Sequence, residues 1–148
     1  MIGAMNTIPA TVLIIENHPM MRAALCAAIA DEPGLTIAAV AANGMDVLQI
    51  ATALHPELVL FSVGNPAQDD LQVLFALHKS LPVTSILALT SNEVAGQEQA
   101  ALDAGAQAVL TKAAPRAELL RALRDLQTKA IMDKLEVNVL EEVNGKIY

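Results

Sequence analysis

Chemistry needs particular side chains at particular spacings, and this 148-residue chain offers few of them. Ser62 ends a short apolar run and carries a hydroxyl that could act as a weak nucleophile or serve as a Ser/Thr-kinase target. A serine nucleophile needs a neighbouring base, and none stands beside it. The plainer reading is a hydrogen-bonded serine at a strand end. Asp69-Asp70 could hold a metal ion, but at the start of a helical pattern they serve better to cap it and offset its dipole. His55 and His78 close helical segments, where a partial positive charge suits the dipole. Cys26, between Leu25 and Ala27, reads as core. It is the only cysteine, which excludes an internal disulfide and a cysteine-based zinc cluster. Gly44 and Gly64 each stand alone, so there is no Gly-rich phosphate loop, and no nucleophile elbow or paired-carboxylate motif accompanies them. An enzyme is therefore not the expected reading.

The elements that would position these residues follow a regular rhythm. Short apolar runs at Thr11–Ile15, Leu35–Val40, Leu58–Phe61, Ser85–Leu89 and Ala108–Leu110 lack polar alternation, as parallel strands buried on both faces do. Helical patterns near 19–30, 44–54, 69–80, 93–104 and 115–127 lie between and after them. Pro19 and Pro115 sit at helix starts, and Pro33-Gly34 and Gly105 follow helix ends. Strand-then-helix repeats of this kind predict an α/β fold with a doubly wound parallel sheet. Ligand chemistry in such sheets collects at the carboxyl ends of the strands. The loops to read are therefore 16–19, 41–43, 62–68, 90–92 and 111–114.

Composition bounds the alternatives. Apolar residues make up 54% of the chain and aromatics 2%, so the core must be aliphatic and alanine-rich. That is too apolar for a disordered chain. The longest uncharged stretch, residues 1–15, is broken by Asn6, Thr7 and Pro9 and falls short of the ~20 apolar residues a membrane span needs. No Lys or Arg precedes Arg22, so a signal peptide would lack its basic region. The expected location is cytoplasmic, with no membrane partner. The net charge of −7 argues against direct nucleic-acid binding. Residues 1–111 hold two bases and ten acids, whereas residues 112–148 hold seven bases and six acids, which suits a protein partner better than DNA.

Read together, four segments are similar to the response-regulator receiver domain of the NarL/LuxR type. They are Val12-Leu13-Ile14-Ile15-Glu16-Asn17-His18-Pro19, His55-Pro56-Glu57-Leu58-Val59-Leu60-Phe61-Ser62, Ile86-Leu87-Ala88-Leu89-Thr90-Ser91 and Ala104-Gly105-Ala106-Gln107-Ala108-Val109-Leu110-Thr111-Lys112. The resemblance covers about residues 10–127 and implies a flavodoxin-like (CheY-like) five-stranded sheet of order 2-1-3-4-5. It also implies a site in which an aspartate after the third strand accepts a phosphoryl group and two acids after the first hold Mg²⁺. A Thr or Ser after the fourth strand and a Lys after the fifth complete it. Here the set is broken. Ser62 stands at the phosphoacceptor position, and Glu16-Asn17 replaces the acid pair, with an amide where the direct metal ligand belongs. Thr90 and Lys112 are retained, and the aromatic switch position holds Val109.

These departures change the expected chemistry. Phosphoryl transfer of this kind needs a carboxylate nucleophile and a metal ion, and Mg²⁺ usually takes one or two carboxylates plus phosphate. With Glu16 as the one remaining acid, Mg²⁺ binding is expected to be weak or absent, and no other cofactor is implied. An intact site carries −2, whereas Glu16 and Lys112 sum to zero and are expected to form an ion pair, with Asn17 and Ser62 filling hydrogen-bond positions.

The expected function is a phosphorylation-independent receiver-like domain acting by protein–protein contact in bacterial two-component signalling or transcriptional regulation. Arg116, Arg121, Arg124 and Lys129 on the last helix form the candidate partner face. The expected organisation is an N-terminal extension at 1–9, a receiver-like domain at 10–127 and a C-terminal extension at 128–148. Leu126, Ala130, Ile131, Leu135, Val139 and Val143 suit a helix in that extension, stopped by Asn144-Gly145, although Leu135, Val137 and Val139 also alternate like a strand. Such a helix would support a homodimer. The alternative function is the receiver portion of a longer NarL/LuxR-type DNA-binding regulator, whose linker resembles residues 139–148.

Overall fold

The computed structural model describes residues 9–44, 46–64 and 66–147, with side chains to Glu136. The expected N-terminal extension falls almost wholly outside them. Five strands alternate with five helices: β1 Ala10–Ile15, α1 Pro19–Ala30, β2 Leu35–Ala41, α2 Asp46–Leu54, β3 Leu58–Ser62, α3 Gln68–Ser80, β4 Ser85–Thr90, α4 Gln97–Ala104, β5 Ala108–Thr111 and α5 Arg116–Ile147. All pairings are parallel and the sheet order is β2-β1-β3-β4-β5. The expected fold and strand order are both present.

The apolar runs explain the layering. Successive strand residues point to opposite faces, so β1, β3 and β4 feed two cores at once. Leu13, Ile15, Val59, Phe61, Ile86 and Ala88 pack with Val47 and Ala51 of α2, Val73, Leu74 and Leu77 of α3 and Ala101 of α4. Val12, Ile14, Leu58, Leu60, Leu87 and Leu89 pack with Leu25 and Ile29 of α1 and Leu119, Leu120, Leu123 and Leu126 of α5. Three helices thus cover one face and two cover the other.

Two helix boundaries differ from expectation. α4 begins at Gln97 rather than near 93, because Gly96 before it takes φ +81°, a left-handed conformation outside a helix. At the other end of the chain, α5 runs without a break from Arg116 to Ile147, past the expected 127/128 boundary and through Asn144-Gly145. The strand alternative for the tail is excluded. A glycine costs a helix about 1 kcal/mol, which does not by itself end one of 32 residues.

Gly105 closes α4 at φ +124°, and a Cβ built there would lie 2.5 Å from Cγ of His78. Gly105→Ala is therefore expected to destabilise the fold by about 1–3 kcal/mol, read as a lowered urea midpoint. Adding His78→Ala should recover only part of the steric loss, because the Cβ of residue 78 would still lie 2.7 Å away, and it should leave the backbone part.

Candidate functional site at the carboxyl edge of the sheet

Strand pairing gathers the expected site residues from four separate segments. Ile15 pairs with Phe61, Ser62 with Leu89, and Thr90 with Thr111. Glu16, Ser62, Thr90 and Lys112 consequently sit side by side at the carboxyl ends of β1, β3, β4 and β5. Backbone bonds extend the ladder into the edge: Glu16 N–H donates to Ala41 O at 2.9 Å, Val63 N–H to Leu89 O at 2.8 Å, and Lys112 N–H to Thr90 O at 2.9 Å. Thr90 is buried and Lys112 half-buried. Val109 is half-buried against the core that holds α2, α3 and α4.

The polar groups are used unequally. Glu16 is only 5% exposed; its Oε2 accepts the His18 N–H at 3.0 Å, while its Oε1 is buried without a hydrogen-bond partner. Ser62 is 4% exposed and its Oγ is also buried without a partner, so the expected hydrogen-bonded serine is corrected. The expected Glu16–Lys112 ion pair is absent as well; among the described residues the ion pair formed is Arg124 with Glu32. The physical reason is local, since Glu16 turns back onto the loop N–H two residues ahead. Asn17 does fill a hydrogen-bond position. Its Oδ1 accepts the Asn43 N–H and ties the β1–α1 loop to the β2–α2 loop.

That donor set fits a divalent cation poorly. Mg²⁺ prefers six oxygens in octahedral array. Asn17 Oδ1 is already engaged by a backbone donor, and Glu16 has a single free oxygen. Among the described residues no three His, Cys, Asp or Glu side chains are grouped to hold a metal. The alternative acids, Asp69 and Asp70, lie in the first turn of α3, whose N-cap is Ala67. Asp70 makes no cap there; its Oδ2 accepts the Gly64 N–H at 2.6 Å.

The expected partner face divides in two. Arg116 Nε donates to the Ala28 carbonyl at 3.2 Å, and Arg124 pairs with the buried Glu32, so both bind α5 to its own domain beside α1. Arg121 and Lys129 are exposed. Beyond them Ile131, Met132 and Leu135 are 48%, 61% and 54% exposed. At 3.6 residues per turn, Met132 and Leu135 point well away from the Leu119, Leu120, Leu123 and Leu126 face that packs on the sheet, while Ile131 continues the Leu120 side. Val139 and Val143 of the expected stripe lie outside the described side chains.

Sequence reasoning missed Gln97, whose buried amide spans two loops at this edge. Its signal was Gly96, which marks the true start of α4 and so places Gln97 in the first helical turn.

The sheet order and the polar edge define a doubly wound α/β domain with its ligand edge at the strand carboxyl ends. The chain belongs to the response regulator receiver domain family, whose family model matches residues 12–124. It is similar to the signal receiver domain of the putative response regulator NarL from Mycobacterium tuberculosis, at 25% identity and a TM-score of 0.70, covering 79% of this chain and 94% of that one. The response regulator domain of Thermotoga maritima CheB shares the fold at 22% identity and a TM-score of 0.71, with 81% and 97% covered. A LuxR-family two-component response regulator from Aurantimonas sp. SI85-9A1 does so at 20% identity and 0.71, with 86% and 99% covered. No curated protein matches the chain significantly.

An unpartnered buried hydroxyl contributes nothing and costs its desolvation. Ser62→Ala is therefore expected to leave stability unchanged or raise it by about 1 kcal/mol. A clear loss in urea denaturation would show that the hydroxyl has a partner after all.

Proposed function

We propose that this receiver domain works without phosphorylation, by protein–protein contact in bacterial two-component signalling or transcriptional regulation, and that it is not an enzyme. The observation that carries the reading is the state of the edge. Ser62 stands at the end of β3 with a buried hydroxyl and no base. Asn17 spends its oxygen on the Asn43 N–H rather than on a cation. On this reading Glu16, Asn17, Ser62, Thr90 and Lys112 form a degenerate phosphoacceptor pocket, and Val109 occupies the switch position without an aromatic ring to rotate. A pocket with no trigger holds one conformation. Among the described residues no helix is long and apolar enough to cross a membrane, which agrees with cytoplasmic action.

The partner surface in this proposal is the outer side of α5. Arg121 is exposed there, whereas Lys129 turns toward Pro82 and Val83, and Ile131, Met132 and Leu135 supply apolar area for a second copy of the same helix. Arg121, Asp125 and Glu136 on that side mix signs, so two copies need not repel. The similarity to the NarL receiver favours a second reading, the receiver portion of a longer regulator. The mass of the native gene product distinguishes the two.

Titration of the protein with Mg²⁺ and beryllofluoride, followed by amide NMR shifts, tests the pocket. The wild type should show no saturable shifts around residue 62, and the N17D/S62D variant should gain them. Saturation in the wild type would sink the proposal. Sedimentation at micromolar concentration tests the helix: the wild type should dimerise, and Leu135→Glu should run as a monomer with an unchanged fold.

A further inference from the structure

The β3–α3 and β4–α4 loops meet through the side chain of Gln97. This residue opens α4, is 3% exposed, and uses its amide in both directions. Its Oε1 accepts the Ser91 N–H at 2.7 Å, and its Nε2 donates to the Gly64 carbonyl at 3.3 Å. Gly64 is held from its other side too, where its N–H donates to Asp70 Oδ2 at 2.6 Å. A Cβ on Gly64 would lie 3.0 Å from that carboxylate oxygen, a closeness that suits glycine. A continuous chain of polar contacts thus runs from the first turn of α3, through both loops, to the first turn of α4.

The two loop groups lie just beyond the ends of β3 and β4, where the sheet ladder stops supplying partners. Burying backbone polar groups there requires a substitute. An amide side chain meets both needs at once, because it carries an acceptor and a donor on one planar group. A carboxylate could accept from Ser91 but could not donate to Gly64, and an ammonium could do only the reverse.

The geometry points to Gln97 as a built-in clip that fixes the two loops, and with them α4, without any bound group. The inference rests on the proposed reading that the pocket takes no phosphoryl group, since that reading gives the clip its task. Ser62 and Thr90 sit two residues and one residue before the clipped carbonyl and amide, Gly64 and Ser91. With no ligand to join the loops there, their order must come from the chain itself.

Amide hydrogen exchange on the full chain, read by NMR, tests the clip. In the wild type the Ser91 amide should be protected far above the level of an open loop. Gln97→Ala should speed its exchange about tenfold or more, while the amides of Ile14 and Leu60 keep their rates. Gln97→Glu should keep Ser91 protected, because a carboxylate still accepts, and should shift the carbonyl carbon of Gly64, which loses its donor. That variant carries the test if Gln97→Ala does not fold. An unprotected Ser91 in the wild type, an unchanged rate in Gln97→Ala, or an unmoved Gly64 carbonyl shift in Gln97→Glu overturns the inference. Beryllofluoride binding by the wild type with Ser91 protected would defeat the proposed function and still uphold the clip.

Discussion

Parallel pairing of β1 with β3, and of β3 with β4, is the constraint on which the rest of the molecule depends. These strands are buried on both faces, so an aliphatic residue suits either side of their interiors. Their carboxyl ends do not. A slip of one residue would reverse the direction of every side chain in the strand. In β3 it would exchange Phe61, wholly buried against α2 and α3, with the polar Ser62. The apolar body and the polar end together fix one register, and that register brings Glu16, Ser62, Thr90 and Lys112 to a common edge.

What happens at that edge follows from the end of the ladder. Backbone groups past the last pair have lost their sheet partners and must find others. The protein supplies them from side chains: Asn17 for Asn43, Asp70 for Gly64, and Gln97 for both Gly64 and Ser91. Three side-chain atoms at this edge stay buried and unmatched: Glu16 Oε1, Asn43 Nδ2 and Ser62 Oγ. On the proposed reading, the arrangement also removes an electrostatic cost. Two carboxylates about 5 Å apart repel by roughly 3 kcal/mol at an effective dielectric of 20, and this edge carries a single carboxylate among the pocket positions.

The fold was legible because its signals are repeated. Each strand announces itself by a mainly apolar run without polar alternation, and Pro19, Pro115 and Gly105 mark helix ends by conformational necessity. The site was legible only as a set of positions. Segment order put Glu16, Asn17, Ser62, Thr90 and Lys112 at or just past the strand ends, where they lie, but their bonds depend on which way each side chain turns. Glu16 could meet Lys112 across the pocket or fold onto its own loop, and nothing in the residue order selects between them. Gly96 could have placed Gln97 at the start of α4 but not its burial: a glutamine in a first helical turn is ordinarily a solvated residue, and only the approach of two loops makes it a buried one. The internal bonds of Arg116 and Arg124 were hidden likewise, since their partners lie on α1 and in the turn that follows it.

α5 links the sheet to the exposed surface. Its inner face is committed to the sheet through Leu119, Leu123 and Leu126, and Arg116 and Arg124 pin it further to the α1 side. On the proposed reading, a helix tied down in this way displays its exposed residues Ile131, Met132 and Leu135 in one orientation. A ligand that binds two states equally shifts neither, and a domain with a single state offers nothing to shift. If the proposed reading holds, control must act on the amount of the protein or of its partner, through mass action at the exposed helix, rather than on the shape of the domain.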